Sequence, residues 1–401
     1  MRILLISQYF WPENFRINDL CIGLKESGHV ITVLTGKPNY PSGTYFKGYT
    51  FFNKNTEYWN GIKIYRSNLI LRGNGRGLKL FLNYFSFAIF ASFKVFFINQ
   101  KFDKVFIFAP SPITVAIPGI IASRIFKAKS YLWIHDLWPE SIRSAGGIEN
   151  KFVIGVFNLL TKFIYSKIDI LLIQSQGFLS YLKLQKVSEN KIIYYPFYAE
   201  EFYKVENSKI EYKNQLPEGF NLMFAGNIGE GQAFPTLLSA AKIIKEKGYN
   251  INWIIFGDGR LRDFVKYKII EYNLDNTFIL KNSLPATEMP KYFSCANGLI
   301  VSLKNKYIFS ITIPGKLQSY LACGKPIIGS LNGVGAEIIE KSRAGYVGKA
   351  DSAEELVDAV LKLYNSPIEM QIQMGKNARI YYEQEFDRNM LLKKLITIFE
   401  S

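Results

Sequence analysis

The sequence predicts an α/β protein built from two doubly wound, Rossmann-like domains, and three observations predict it. Short, nearly continuous apolar runs alternate with helical segments along the chain, the pattern of parallel strands covered on both faces. In the third quarter, three glycine turns follow three such runs. Residues 221–226 lead into Gly226-Asn227-Ile228-Gly229-Glu230-Gly231, 251–256 into Gly257-Asp258-Gly259, and 298–303 precede Pro314-Gly315-Lys316. The length, 401 residues at 48% hydrophobic and 20% charged, suits two cores, because single cores usually stop growing before this size.

In chain order, residues 3–7 read as a buried first strand, too short an apolar run for a signal peptide. A helix over 17–27 stops at Gly28; strands follow at 30–35 and 62–66. Then come a helix at about 78–99, a strand at 104–108, a helix around 113–126, a strand at 130–134, a helix at about 151–167 and a strand at 170–174. The alternation lapses over 194–201, which reads as the linker. The first domain therefore spans 1–198 and the second 205–385, with helices at about 353–365 and 370–383; a last helix, about 387–401, packs back on the first domain. The two domains are expected to face a central cleft, since open α/β sheets bind ligands at the carboxyl ends of their strands. The first domain would supply the loops 9–19, 38–43, 110–112 and 135–140.

Three dispersed cysteines and two histidines give no basis for a disulfide framework or a zinc site, which favours a reducing cytoplasmic setting. The formal charge of +16 is uneven: residues 1–200 carry 24 Lys and Arg against 11 Asp and Glu. Much of this charge is interleaved with aromatics between Arg72 and Lys101. A basic, aromatic helix there suits an anionic membrane surface. A buried helix with snorkelling lysines is the other reading. The uncharged run 80–93 has 14 residues, short of the roughly 20 of a span, and Pro110, Pro112 and Pro118 break the run 105–123, so no transmembrane helix is expected.

A glycine just past a strand, with a helix opening behind it, lets backbone N–H groups approach a phosphate while the helix N-terminus favours its charge. Gly226, Gly229, Gly257 and Gly259 fit such a diphosphate cradle, as does Lys316 at a helix start. His135 ends an apolar strand beside Asp136, which either contacts ligand or caps the next segment. Lone histidines and lysines are commonly structural or solvated, and that reading stands beside each.

The segments 7–19 (Ser-Gln-Tyr-Phe-Trp-Pro-Glu-Asn-Phe-Arg-Ile-Asn-Asp), 133–139 (Trp-Ile-His-Asp-Leu-Trp-Pro), 224–229 (Phe-Ala-Gly-Asn-Ile-Gly) and Pro314-Gly315-Lys316 with Leu321-Ala322-Cys323-Gly324-Lys325-Pro326 resemble retaining glycosyltransferases of family 4, with the GT-B fold. Within that family the chain is most similar to bacterial enzymes of colanic acid, O-antigen and capsule synthesis, of the L-fucosamine transferase type. The resemblance implies a UDP-sugar held by the second domain, an acceptor held by the first, retention of anomeric configuration, and no metal or other cofactor. It gives His135 and Lys316 catalytic roles. With it, donor binding is expected of Gly226, Asn227, Gly229, Gly257, Asp258, Pro314 and Gly315, and acceptor binding of Glu13, Asn14, Arg16 and Asp136; Arg260 and Lys304 are the remaining diphosphate candidates and Glu337 the remaining carboxylate for donor hydroxyls. The chain departs from the family where an Arg and a Lys are common in the first glycine turn, and where two glutamates would fall at Ile311 and Ser319.

The expected activity is hexosyl transfer, with N-acetyl-L-fucosamine as the sugar, to a polyprenyl-diphosphate-linked acceptor in surface polysaccharide synthesis. Its place would be the inner face of the cytoplasmic membrane, peripherally bound. A sugar-nucleotide 2-epimerase of the same architecture is the alternative. A nucleic-acid binder would also use +16, but no nucleic-acid module is present and none is expected as a partner.

Overall fold

The computed structural model describes residues 1–73, 75, 77–146 and 150–401; Asn74 and Arg76 of the basic stretch lie outside them. The chain divides into two compact units, Met1–Tyr195 with Leu392–Ser401, and Pro196–Leu391. The first contains β1 (Arg2–Ser7), α1 (Arg16–Glu26), β2 (Val30–Gly36), β3 (Thr56–Trp59), β4 (Ile62–Ser67), α2 (Gly77–Val95), β5 (Lys104–Ala109), α3 (Ala116–Phe126), β6 (Lys129–Ile134), α4 (Glu140–Gly146), α5 (Lys151–Lys167), β7 (Ile170–Ile173), α6 (Phe178–Leu184) and β8 (Ile192–Tyr194). Its eight-stranded sheet has the order β3-β4-β2-β1-β5-β6-β7-β8. Every pairing is parallel except β3 with β4.

The second unit contains α7 (Ile210–Lys213), β9 (Phe220–Ala225), α8 (Phe234–Glu246), β10 (Ile251–Phe256), α9 (Arg262–Glu271), β11 (Phe278–Lys281), α10 (Met289–Ser294), β12 (Gly298–Ser302), α11 (Tyr307–Ser310), α12 (Gly315–Ala322), β13 (Ile327–Ser330), α13 (Val334–Lys341), β14 (Gly345–Gly348), α14 (Ala353–Tyr364) and α15 (Ile368–Glu385). Its sheet is wholly parallel in the order β11-β10-β9-β12-β13-β14. Successive strand residues point to opposite faces, and both faces are cores. Leu222, Phe224, Trp253 and Ile255 pack with α8 and α14. Met223, Ile254, Phe256 and Val301 pack with Leu317, Tyr320 and Ile339 on the other side.

The last helix, α16 (Arg388–Glu400), ends in the first unit. There Phe399 meets Phe106 and Tyr131 edge-on at 5.8 and 4.9 Å, and the Tyr131 hydroxyl donates to the Ile398 carbonyl at 3.3 Å. The stretch 194–201 is not a free linker. Tyr194 closes β8, the chain passes between units at Tyr195 and Pro196, and Ala199 is buried in the second core, its carbonyl accepting from the Tyr382 hydroxyl at 3.3 Å.

Some of the positive charge of the first unit is internal. Lys37 is buried and its ammonium donates to the carbonyls of Thr50 and Phe51 at 2.7 and 2.9 Å, and to that of Asn53. Arg66 is buried against Glu57 at 2.6 Å and donates to the carbonyls of Gly36 and Trp11. Helix α2 runs over 77–95 against the expected 78–99, and its 19 residues, more than the uncharged run of 14, are long and apolar enough to cross a membrane by length and composition alone. It nonetheless belongs to a packed layer. Phe87, Ala91 and Val95 are fully buried, and buried Asn83 accepts from Gln8 at 2.7 Å and donates to the Ile70 carbonyl at 2.6 Å.

Candidate active site

In the second unit, the site begins with strand register. Ala225 of β9 is paired with Phe256 of β10, so the residues that follow, Gly226 and Gly257, leave the sheet side by side. The Gly226 N–H donates to the Phe256 carbonyl at 2.9 Å, and a Cβ at residue 257 would lie 1.9 Å from the Gly226 oxygen. Only glycine fits there. The two turns are laced together: Ile228 N–H donates to the Asp258 carbonyl at 2.8 Å, and Leu261 N–H to the Ile228 carbonyl at 3.0 Å. Asp258 accepts from the Gly259 N–H at 2.8 Å, so this side chain shapes its own turn. Gly259 has φ +155°, and a Cβ there would meet the Asn227 Oδ1 and the Ile228 oxygen at 2.5 Å. A Cβ at Gly229 would meet the Asn227 amide nitrogen at 2.4 Å. Arg262 tightens the second turn, donating to the Gly257 carbonyl, and to the Lys281 carbonyl at 3.1 Å.

Lys316 closes this arrangement from α12. Its ammonium donates to Gln232 Oε1 at 2.6 Å, lies 3.5 Å from the centre of the Phe224 ring, and stands 3.5 Å from where a Gly226 Cβ would be. The missing side chain at Gly226 makes the room. Burial holds the Lys316 pKa well below its ordinary value, which an arriving anion would reverse by supplying the opposite charge. The helix is anchored by Tyr320, whose hydroxyl accepts from the Ala225 N–H at 2.9 Å. Pro314 is the N-cap without a side-chain cap bond, and a Cβ at Gly315 would meet nothing within 4 Å. The N-terminus of α12 is therefore open, with its positive dipole end available to an anion.

The other donor candidates are placed differently. Lys304 is paired with Glu230 at 3.0 Å, and its amide donates to the Gly231 carbonyl at 3.0 Å, so its charge is partly spent on the turn. Glu337 is an exposed residue of α13, 3.6 Å from Lys341, a helical i,i+4 pair instead of a ligand position. Arg260 is exposed beside the second glycine turn. A concavity of about 510 Å³, lined by Val205, Gly324, Pro326, Ile372 and Lys376, lies where the chain enters β13. That is the amino end of the sheet, away from the turns, and no role is assigned to it.

In the first unit, His135 follows β6, its N–H donating to the Ala109 carbonyl at 3.3 Å. Its ring stands edge-on to Phe108 and Trp133 at 4.4 and 4.5 Å. Burial, then the charge of Arg16, holds its pKa well below 6.5, so the imidazole is neutral and offers one donor and one acceptor. Asp136, mostly enclosed, is pushed up to about 7 by burial. Its charge reaches Tyr84, whose hydroxyl interacts with Ser111 and Tyr9. Tyr9 stacks on Phe15 at 4.8 Å, Tyr40 tilts against both, and the Arg72 guanidinium lies 4.7 Å from the Tyr40 ring centre and donates to the Tyr9 hydroxyl at 3.4 Å. This aromatic and cationic cluster was not foreseen. Its members come from segments far apart in the chain, and no spacing announces them.

Glu13 has another task than binding an acceptor. One carboxylate oxygen accepts from the N–H groups of Asn39 and Tyr40 at 2.8 and 2.7 Å, the other from Phe10 at 3.3 Å, and the side chain is buried. It ties two loops together. Burial pushes its pKa up to about 7 although these donors pull it down. Asn14 is exposed, and Arg16 opens α1 half-buried. Among the described residues, no group of three or more His, Cys, Asp and Glu comes together to hold a metal ion.

Two Rossmann-like units in this order are the GT-B fold. The chain superposes over its whole length on Anabaena Alr3699/HepE in complex with UDP-glucose, with a TM-score of 0.72 at 12% identity, covering 99% of that chain. Residues 207–381, within the second unit, match the family model described as Glycosyl transferases group 1. Among curated proteins, the probable glycosyltransferase WbjE of Pseudomonas aeruginosa is 27% identical over 218 residues, 52% of each chain. The amylovoran biosynthesis glycosyltransferase AmsK of Erwinia amylovora is 23% identical over 196 residues, 49% of this chain and 48% of the relative. The chain thus matches about half the length of these relatives.

Two predictions follow from the geometry. Gly257→Ala should cost more than about 2 kcal/mol of stability, because its methyl has no space, whereas Gly315→Ala should stay within about 1 kcal/mol of wild type; denaturant unfolding of both variants checks the contrast. Glu13 and Asp136 have ordinary pKa values of 4.5 and 3.8 and folded values of about 7. A raised carboxyl stabilises fully below its ordinary value and loses that contribution as pH rises through the folded one. Stability should therefore fall by several kcal/mol, roughly 1.4 for each unit by which each carboxyl is raised, as pH rises from about 4.5 to above about 7, and Asp136→Asn should remove the larger part of the fall. Tryptophan fluorescence during unfolding at stepped pH would show it.

Proposed function

We propose that the chain is a retaining, metal-independent glycosyltransferase that moves a sugar from a UDP-sugar to a polyprenyl-diphosphate-linked acceptor during bacterial exopolysaccharide, capsule or O-antigen synthesis. The observation that carries the reading is the enclosed Lys316 ammonium, held by Gln232 over Phe224 beside Gly226 and borne by the second residue of α12, at its open end. An ammonium kept out of water, with a helix N-terminus nearby, is made for the charge that grows on a leaving diphosphate. The names of the curated relatives support transfer over the sugar-nucleotide 2-epimerase alternative. The UDP-glucose bound by HepE supports a uridine nucleotide as the donor carrier.

The leaving diphosphate oxygen accepts the acceptor's proton, so no enzymic base of high pKa is needed. Neutral His135 offers one donor and one acceptor to a sugar hydroxyl or carbonyl, and its low pKa keeps a positive charge out of its own surroundings. The Tyr9, Tyr40 and Arg72 cluster takes the place that Glu13 vacates in acceptor binding, offering ring faces to a sugar and a guanidinium to a phosphate. N-acetyl-L-fucosamine remains the sugar of this proposal, on the likeness of the sequence motifs. The working place is the inner face of the cytoplasmic membrane, where such acceptors are anchored.

The test is incubation of the purified chain with labelled UDP-sugars and membrane lipid extract. The expected result is a labelled glycolipid with one donor, formed equally with chelator present, and reduced about 100-fold or more by Lys316→Met. No glycolipid with any donor, or full activity in the Lys316→Met variant, contradicts the proposal.

A further inference from the structure

Helices α2 and α5 each bury one face and leave an apolar face uncovered. On α2, Leu78, Leu82, Phe85, Ile89 and Phe93 are exposed at spacings of three and four, Phe93 by 64% and Ile89 by 55%. On α5, Phe152, Val156, Leu159 and Phe163 repeat the same spacing, Phe152 exposed by 80% and Leu159 by 69%. The helices are neighbours. Phe157 of α5 stacks on Phe81 of α2 at 5.7 Å and tilts against Phe85 at 6.4 Å, so the two exposed stripes flank one aromatic seam. Soluble proteins seldom leave a contiguous apolar face of this kind without a partner for it.

The charges say which partner. Lys79 and Lys94 on α2, and Lys151, Lys162 and Lys167 on α5, are the charged residues of these helices; neither has an Asp or Glu. Lys167 keeps its ammonium 5.8 Å from the Phe163 ring centre, an apolar ring and a cation presented together. A second copy of the same face would bring lysines against lysines. A sheet of anionic lipid accepts both features, rings among the acyl chains and ammonium groups among the phosphates.

We propose that α2 and α5 together form a lipid-docking face of the first unit, inserting Phe93, Ile89, Phe152 and Leu159 into the outer layer of an anionic membrane without crossing it. This deepens the membrane part of the function proposed above and rests on it only in the choice of lipid. Helix α2 lies flat in this arrangement, because its buried face stays on the sheet through Phe87, Ala91 and Val95. The patch holds the domain, and α5, which no length criterion would single out, supplies half of it.

The test is flotation of the full chain with phosphatidylcholine vesicles, with and without phosphatidylglycerol. The expected result is binding to the anionic vesicles only, weakened by salt and by about fivefold for each lysine neutralised in Lys151→Gln and Lys162→Gln. Ile89→Glu with Leu159→Glu should weaken it at least about tenfold while circular dichroism and UDP binding stay as in wild type. Equal binding to neutral vesicles, undiminished binding by the double variant, or a dimer that the double variant dissolves in the absence of vesicle binding would overturn the proposal. Vesicle binding needs neither donor nor acceptor, so its failure would leave the transfer reaction standing, and the reverse.

Discussion

The in-register pairing of β9 with β10 is the constraint on which the second unit's site depends. It forces two chain segments to leave the sheet at the same level, and their backbones then pack without room for a side chain at Gly257. The consequence is local rigidity where rigidity has a use. Hydrogen bonds between Ile228 and Asp258, and between Leu261 and Ile228, fix the turns before any ligand arrives. The absent Cβ at Gly226 leaves space into which Lys316 reaches from α12, itself fastened to β9 by Tyr320. A cation that had to be gathered from a flexible loop on binding would lose part of its effect to ordering. Here the fold has ordered it already.

The first unit solves a different electrostatic problem. Three ionisable groups, Glu13, His135 and Asp136, are enclosed near the carboxyl ends of its strands, and burial drives each toward its neutral form. A surface that avoids fixed charge suits neutral sugar hydroxyls, and Arg72, set among tyrosines, leaves one cation beside it. Much of the remaining positive charge is either internal, as with Lys37 and Arg66, or spread along α2 and α5.

Most of the fold was legible in the sequence because strand and helix periods are local. The glycine turns, the helix start at Pro314-Gly315-Lys316 and α5 at 151–167 are read from adjacent residues. What escaped depends on distant partners. Glu13 looks like a loop carboxylate until Asn39 and Tyr40 are seen to occupy it, and Gln232 is an ordinary polar residue until Lys316 meets it. The short strand β3 has little apolar content of its own and exists because β4 pairs with it. Helix α2 carries large apolar residues on both its covered and its uncovered face, so its sequence cannot say which is which; the packing of Phe87 and the exposure of Phe93 separate them.

Lys316 as the diphosphate contact is the claim that most of this account serves. Calorimetric titration with UDP and with uridine, on wild type and Lys316→Met, tests it most directly. Measurable binding of UDP by the wild type alone, with uridine silent and the variant folded, is the predicted result. Uridine binding as tightly as UDP, or the variant binding UDP as the wild type does, would contradict it.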